Sequence, residues 1–239
     1  MLQRHEDAIT NRLRFSSVSC VIPSLNESAS LQVLLPRLQT ILESESLAWE
    51  IIVVDDGSTD ATASLMEIWV RQPGFRCLQF SRNFGKEAAI TAGLEVAAGD
   101  VVICLDSDLQ HPPELIPQML ARWRAGADMV YAVRAHRKDE SWLKRLGSWT
   151  LYALLSKGSQ FSIPQNAGDF RLMDRQVVTA LLQLPERARF MKGLYAWVGF
   201  ATAALEYHPP DRQFGHTHFN YLRLLKLALD AITSFSTWP

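Results

Sequence analysis

Paired cysteines, long apolar runs and an excess of either charge are all missing from this sequence, and each absence narrows what it can be. The cysteines Cys20, Cys77 and Cys104 are odd in number, far apart and free of any C-x-x-C pair. That excludes a disulfide framework and a zinc knuckle. Two of them fall in apolar runs, so all three are expected as buried free thiols in a reducing compartment. No stretch of about 18 uncharged apolar residues occurs, so no clear membrane span is expected. The opening segment, Met1 to Phe15, is charged and lacks the apolar centre of a secretory leader. Lys and Arg number 24 against 25 Asp and Glu, for a net charge of −1. A globally basic nucleic-acid binder is thereby excluded, though not a local basic patch. Internal repeats and low-complexity stretches are also absent.

The 239 residues are 48% hydrophobic and 21% charged, the balance of a folded chain with a sizeable core. Its N-terminal half alternates between two periods. Short apolar runs at Val18–Pro23, Glu50–Val54, Cys77–Phe80, Asp100–Leu105 and Asp128–Val133 predict strands. Between them, Leu31, Leu34, Leu35, Leu38, Ile41 and Leu42 have helical spacing, and further helices are predicted over Asp60–Arg71, Gly85–Ala98 and after Pro112-Pro113-Glu114. Strand and helix in alternation imply βαβ units and a mostly parallel sheet flanked by helices. Further on, Phe170–Met173 and Ala201–Tyr207 predict strands, and Arg175–Leu184, Arg189–Val198 and Tyr221–Ile232 predict helices.

In such sheets ligands bind outside the carboxyl ends of the strands. Three predicted strands end in polar clusters: Ser24-Leu25-Asn26-Glu27, Asp55-Asp56-Gly57-Ser58 and Asp106-Ser107-Asp108. They should meet on one edge. Each cluster has two readings. The D-x-D can share a divalent cation, Mg²⁺ or Mn²⁺, or it can be a solvated loop that caps a helix. The Asp55-Asp56-Gly57-Ser58 turn can accept hydrogen bonds from a base or ribose, or simply open the next helix, with Gly57 at positive φ. Asn26 or Ser28 can cap the first helix, or the turn around them can lie against a base.

Taken in order, these clusters resemble the family 2 glycosyltransferases of the GT-A (Rossmann-like) fold. Within them, the chain looks like the polyisoprenyl-phosphate glycosyltransferases, the group of dolichol-phosphate mannose synthase. Four further segments carry the resemblance: Ser81-Arg82-Asn83-Phe84-Gly85-Lys86-Glu87, Asp106-Ser107-Asp108-Leu109-Gln110-His111-Pro112-Pro113, Gly168-Asp169-Phe170-Arg171, and Arg189-Phe190 with Lys192-Gly193. The resemblance implies an inverting, metal-dependent transfer of a sugar from a UDP- or GDP-sugar to a polyprenyl phosphate, at the cytoplasmic face of the inner membrane. Pro23, Leu25, Glu27, Asp56 and Asp106 would contact the nucleotide. Asp106 and Asp108, with Gln110 as candidate third ligand, would hold the metal. Asp169 is the catalytic candidate, with Arg171 beside it. Arg189, Lys192, Arg212 and Thr217 would contact phosphate.

Relatives commonly read R-x-x-G-x-S-K-Y where this chain has Arg212 to Phe219. Thr217 keeps a hydroxyl, whereas His218 is only partly charged near neutral pH. The resemblance also implies domain limits: an N-terminal extension over 1–16, the catalytic domain over 17–215 and an interfacial amphipathic segment over 216–239. A homo-oligomer is compatible with all of this. Two alternatives remain at this point, a soluble transferase acting on a saccharide hydroxyl and a nucleotide-binding pseudoenzyme subunit.

A dianionic lipid acceptor needs cations. Arg134, Arg137, Lys138, Lys144 and Arg145, interleaved with Trp142 and Trp149, supply them in a pattern suited to a membrane interface or to a solvated amphipathic helix. In Tyr221–Ile232 the charged Arg223, Lys226 and Asp230 form one stripe on an otherwise apolar helix. Such a helix buries most of its circumference, in a core or at a bilayer surface. Flotation with anionic liposomes is expected to carry the full chain upward, and deletion of residues 220–239 to weaken this. A full chain that stays at the bottom at low salt would contradict the membrane-surface expectation.

Overall fold

The computed structural model describes residues 17–45, 48–134, 167–186 and 189–207. The expected N-terminal extension, the stretch from Arg137 to Trp149 and the Tyr221–Ile232 helix lie outside the described residues, as do Arg212 and Thr217.

In the first half, β1 (Ser17–Ser24), α1 (Ser28–Ser44), β2 (Ala48–Asp55), α2 (Thr62–Trp69), β3 (Phe75–Gln79), α3 (Lys86–Val96) and β4 (Val101–Cys104) alternate as the periodicity predicts. A short 3₁₀ turn over Pro113–Leu115 leads into α4 (Ile116–Arg124) and β5 (Met129–Arg134). The remaining elements are β6 (Ala167–Asp174), α5 (Arg175–Leu182), α6 (Met191–Trp197) and β7 (Thr202–Tyr207). The strands form one seven-stranded sheet in the order β3-β2-β1-β4-β6-β5-β7.

Pairing is parallel from β3 to β4, and again between β5 and β7. β6 runs antiparallel to both of its neighbours. Reversal of strand order beside β1 makes a crevice at the carboxyl ends of β1 and β4. Near-continuous apolar strands follow from burial on both sides. One face packs on Leu31, Leu34, Leu35 and Leu38 of α1, Met66 of α2, and Met119, Leu120 and Trp123 of α4. The other packs on Ile90 and Leu94 of α3, Val177, Val178 and Leu181 of α5, and Leu194 and Tyr195 of α6.

Cys20 and Cys104 are buried, and burial pushes the Cys20 thiol up to about 12. Cys77 departs from expectation in being only half-buried, because it lies on the edge strand β3. Among the described residues no helix is long and apolar enough to cross a membrane.

Helix α3 lies close on the sheet, and Gly93 is what permits it. A Cβ at this position would come within 2.2 Å of Val21 Cγ1. Gly93→Ala would gain about 1 kcal/mol of helix propensity. Overpacking against β1 would cost about 1–3 kcal/mol, and is expected to win. The Tm should fall by roughly 2–6 °C in a calorimetric scan. A raised Tm would contradict this account of the packing.

Candidate active site

The three polar clusters do converge on one edge. They line a cleft of about 560 Å³ together with Asn83, Gly85, Lys86 and Ala89. Its walls include Pro23, Leu25, Glu27, Asp56, Asp106 and Asp108. That volume lies within the usual range for small-molecule and cofactor sites.

The loops are tied to one another by hydrogen bonds. Asn26 takes positive φ, and its amide oxygen accepts from the backbone N–H of Thr59 at 2.8 Å. Its own N–H donates to Ser58 Oγ at 2.8 Å. Asn26 therefore does not cap the first helix, as one reading had it. It joins the loop after β1 to the loop after β2. Glu27 Oε2 accepts from Ser30 Oγ at 2.7 Å. Leu25 remains 40% exposed, which leaves an aliphatic wall open in the cleft.

Asp56, almost fully buried, accepts the backbone N–H groups of Phe84 and Gly85 at 2.7 and 2.9 Å, one on each carboxylate oxygen. Gly85 has φ of 102°, a backbone state that disfavours any residue with a side chain. The turn thus pinned delivers Lys86 to the first position of α3. Lys86 Nζ then lies 2.6 Å from Asp106 Oδ1 and 2.6 Å from Asp169 Oδ2.

Asp169 reaches this edge because β6 is antiparallel. Its register pairs Cys104 with Arg171. Continuing that register two residues sets Asp169 opposite Asp106. Burial would push the Asp169 carboxyl up, but Lys86, helped by Lys192 and Arg171, holds it below the usual aspartate range. Burial likewise works against the Lys86 charge, yet Asp106 and Asp169 outweigh it and hold the ammonium above the ordinary lysine value.

Asp106, Asp108 and His111 each bring a ligand atom to within 4.8 Å of the others. His111 is buried, and its Nδ1 has no hydrogen-bond partner among the described residues. Burial pushes this imidazole below its ordinary pKa despite Asp106 and Asp108, so a lone pair is available near neutral pH. Two hard carboxylates and one imidazole suit a divalent cation. The amide oxygen of Gln110, the expected third ligand, accepts from Arg134 Nη2 at 2.7 Å. Arg134 also donates to the Tyr207 hydroxyl at 3.3 Å, which stations this cation at the end of β5 beside the D-x-D turn.

The other expected site residues are less direct. Arg171 is buried, with its guanidinium 4.1 Å from the centre of the Tyr195 ring. From there it supports Asp169 from within the core. Arg189 donates to the carbonyl oxygens of Leu184 and Glu186, which makes it a clamp on the loop after α5. Lys192 is close enough to Asp169 and Glu87 to favour their charged forms.

Sequence reasoning assigned no role to Lys86 or His111. A signal for Lys86 existed: a cation in the first turn opposes the helix dipole, so its presence at the start of α3 calls for another reason.

With this geometry in place, the chain is an α/β transferase, and it belongs to glycosyl transferase family 2, which it matches over residues 19–182. It is 45% identical over 223 residues to an uncharacterized glycosyltransferase of Synechocystis, covering 93% of this chain and 70% of that protein. It is 44% identical over 223 residues to the prophage bactoprenol glucosyl transferase homolog of Escherichia coli, covering 93% and 73%. The bactoprenol glucosyl transferase of Shigella phage SfV is similar at 45% over 223 residues, with coverage of 93% and 73%. Among solved structures, glucosyl-3-phosphoglycerate synthase from Mycobacterium tuberculosis, in complex with Mn²⁺, UDP and glucosyl-3-phosphoglycerate, has the same fold. The TM-score is 0.63 at 18% identity, over 97% of this chain and 84% of that one.

Glu87, next to Lys86, supplies a test of the site's electrostatics. Burial and then the charge of Asp169 push its carboxyl up to about 7, against the pull of Lys86, the Met191 N–H and Lys192. The folded chain therefore holds this proton more tightly than the unfolded chain. The stabilising contribution is complete at the acid end and is lost as pH rises through about 7. Glu87→Gln is expected to flatten this fall by on the order of 2 kcal/mol between about pH 4.5 and 7. Urea melts across that window check it, and identical pH slopes in the two proteins would contradict it.

Proposed function

We propose that this chain transfers a hexose, with glucose the first candidate, from a UDP-sugar to a polyprenyl phosphate at the cytoplasmic face of a membrane, with inversion at the anomeric carbon. The observation that carries the reading is the state of Asp169. In an enzyme that glycosylates a hydroxyl, a carboxylate near the acceptor must remove a proton, which favours a raised pKa. Here Lys86 holds Asp169 well ionised and already paired, a poor base. A phosphate monoester is itself ionised near neutral pH and presents an oxygen that needs no deprotonation. The names of the bactoprenol glucosyl transferases, similar at 44–45% identity, point to the same acceptor class and to glucose.

In this reading the uracil lies along Leu25, and Asp56 and Glu27 border the ribose. Asp106, Asp108 and His111 would hold Mg²⁺ or Mn²⁺, which would supply positive charge against the departing diphosphate. An acceptor phosphate oxygen bonds to C1 of the sugar as the bond from C1 to the nucleotide's β-phosphate oxygen breaks. The electron pair leaves with UDP. Asp169 holds the ammonium and sugar in line, and Arg134 faces the acceptor phosphate.

Radiolabelled UDP-glucose incubated with the chain, Mn²⁺ and undecaprenyl phosphate in detergent is expected to give label in the organic phase. Asp108→Ala should abolish this transfer. Asp169→Asn should lower kcat and kcat/KM together, by about 10²-fold or more, with UDP-glucose affinity changed less than about threefold. Wild-type kcat in Asp169→Asn would remove Asp169 from catalysis. Label that stays in the aqueous phase would contradict the lipid acceptor.

A further inference from the structure

We propose that Lys86 is a positioning residue that makes metal binding depend on the donor: its ammonium pairs with Asp106 and gives that carboxylate up only when a nucleoside diphosphate brings compensating negative charge. The inference rests on the proposed metal role of Asp106 and Asp108, and goes beyond it in assigning a coupling between metal and donor and the residue that sets it.

The geometry makes the conflict direct. Lys86 Nζ is 2.6 Å from Asp106 Oδ1, a distance at which it competes for an oxygen that a divalent ion would ligate. A cation bound there would lie within a few ångströms of a fixed positive charge, in a cleft where such repulsion is not well screened. The ammonium cannot drift away unaided. It is also tied to Asp169 at 2.6 Å, and its backbone is set by the turn that Asp56 pins at Phe84 and Gly85. The side chain itself is 42% exposed, so it has room to swing about this fixed base. A diphosphate entering the cleft carries enough negative charge to accept both the metal and the ammonium. Lys86 then keeps Asp169, Asp106 turns wholly to the metal, and the two positive charges flank the leaving group. Metal and nucleotide therefore bind with strong mutual coupling, and linkage makes that coupling the same in either order.

The test is calorimetric titration of Mn²⁺, with and without UDP, into the wild-type chain, Lys86→Met and Lys86→Arg. In wild type, UDP should tighten Mn²⁺ binding strongly. In Lys86→Met, Mn²⁺ alone should bind about tenfold more tightly than to wild type, and UDP should add about tenfold less to it. Lys86→Arg, which keeps the charge, should retain weak Mn²⁺ binding without UDP. A residue with a merely structural part would weaken Mn²⁺ binding when removed, so the sign of the change discriminates. Lys86→Gln repeats the measurement should the methionine variant melt early. Mn²⁺ affinity in the neutral variants equal to or weaker than wild type would overturn the proposal alone. Failure of wild type to bind Mn²⁺ even with UDP would overturn the metal reading, and this inference with it.

Discussion

One buried carboxylate organises the site. Asp56 stands just beyond β2 and accepts two backbone N–H groups from a turn almost thirty residues later in the chain. Charge-assisted bonds of this kind are about twice as strong as neutral ones, and here both oxygens are used. Without that anchor the turn before α3 has no reason to hold Gly85 at positive φ, and Lys86 has no fixed origin. The ammonium in turn links β4 to β6 by joining Asp106 and Asp169. A chain of polar contacts thus runs along one edge of the sheet from β2 to β4 and β6, with two apolar layers packed on the sheet's faces.

The direction of β6 matters as much as its composition. Run parallel, it would put Asp169 at the far edge of the sheet. Run antiparallel, it presents its first residues where β4 presents its last, and a carboxylate arrives opposite the D-x-D turn. Alternation along the strand then sends Asp169 and Arg171 to one face, toward α3 and α6, while Phe170 and Leu172 go to the other core layer. The pair shares charge support: Arg171 lies against Tyr195 and helps keep Asp169 ionised. An acidic group so well stabilised is suited to holding cations and orienting a sugar, and poorly suited to taking a proton. That property links the electrostatics to the proposed phosphate acceptor.

Much of this was legible in the sequence, for local reasons. Strand and helix periods are set by which face is buried, so β1 to β5 and the helices between them fall where the pattern predicts. Polar residues stopping the apolar runs marked the site edge, since β1, β2 and β4 end there. Strand direction was not legible at β6, because an apolar run has the same period in either sense. Contacts across long separations were also hidden. Lys86 and Asp169 are 83 positions apart, and only the sheet order brings them together. His111 looked like a bystander because nothing in its sequence neighbourhood shows that it is buried with its Nδ1 beside Asp106 and Asp108.

The position of a divalent ion decides the roles of Asp106, Asp108, His111 and Lys86. Crystals grown with Mn²⁺ and UDP, measured at the manganese absorption edge, give an anomalous peak that no light atom can imitate. The expected peak lies between the Asp106 and Asp108 carboxylates and the His111 imidazole, with Lys86 turned off Asp106 and still on Asp169. A peak elsewhere in the cleft, or Lys86 still bridging both carboxylates with the ion bound, would contradict it.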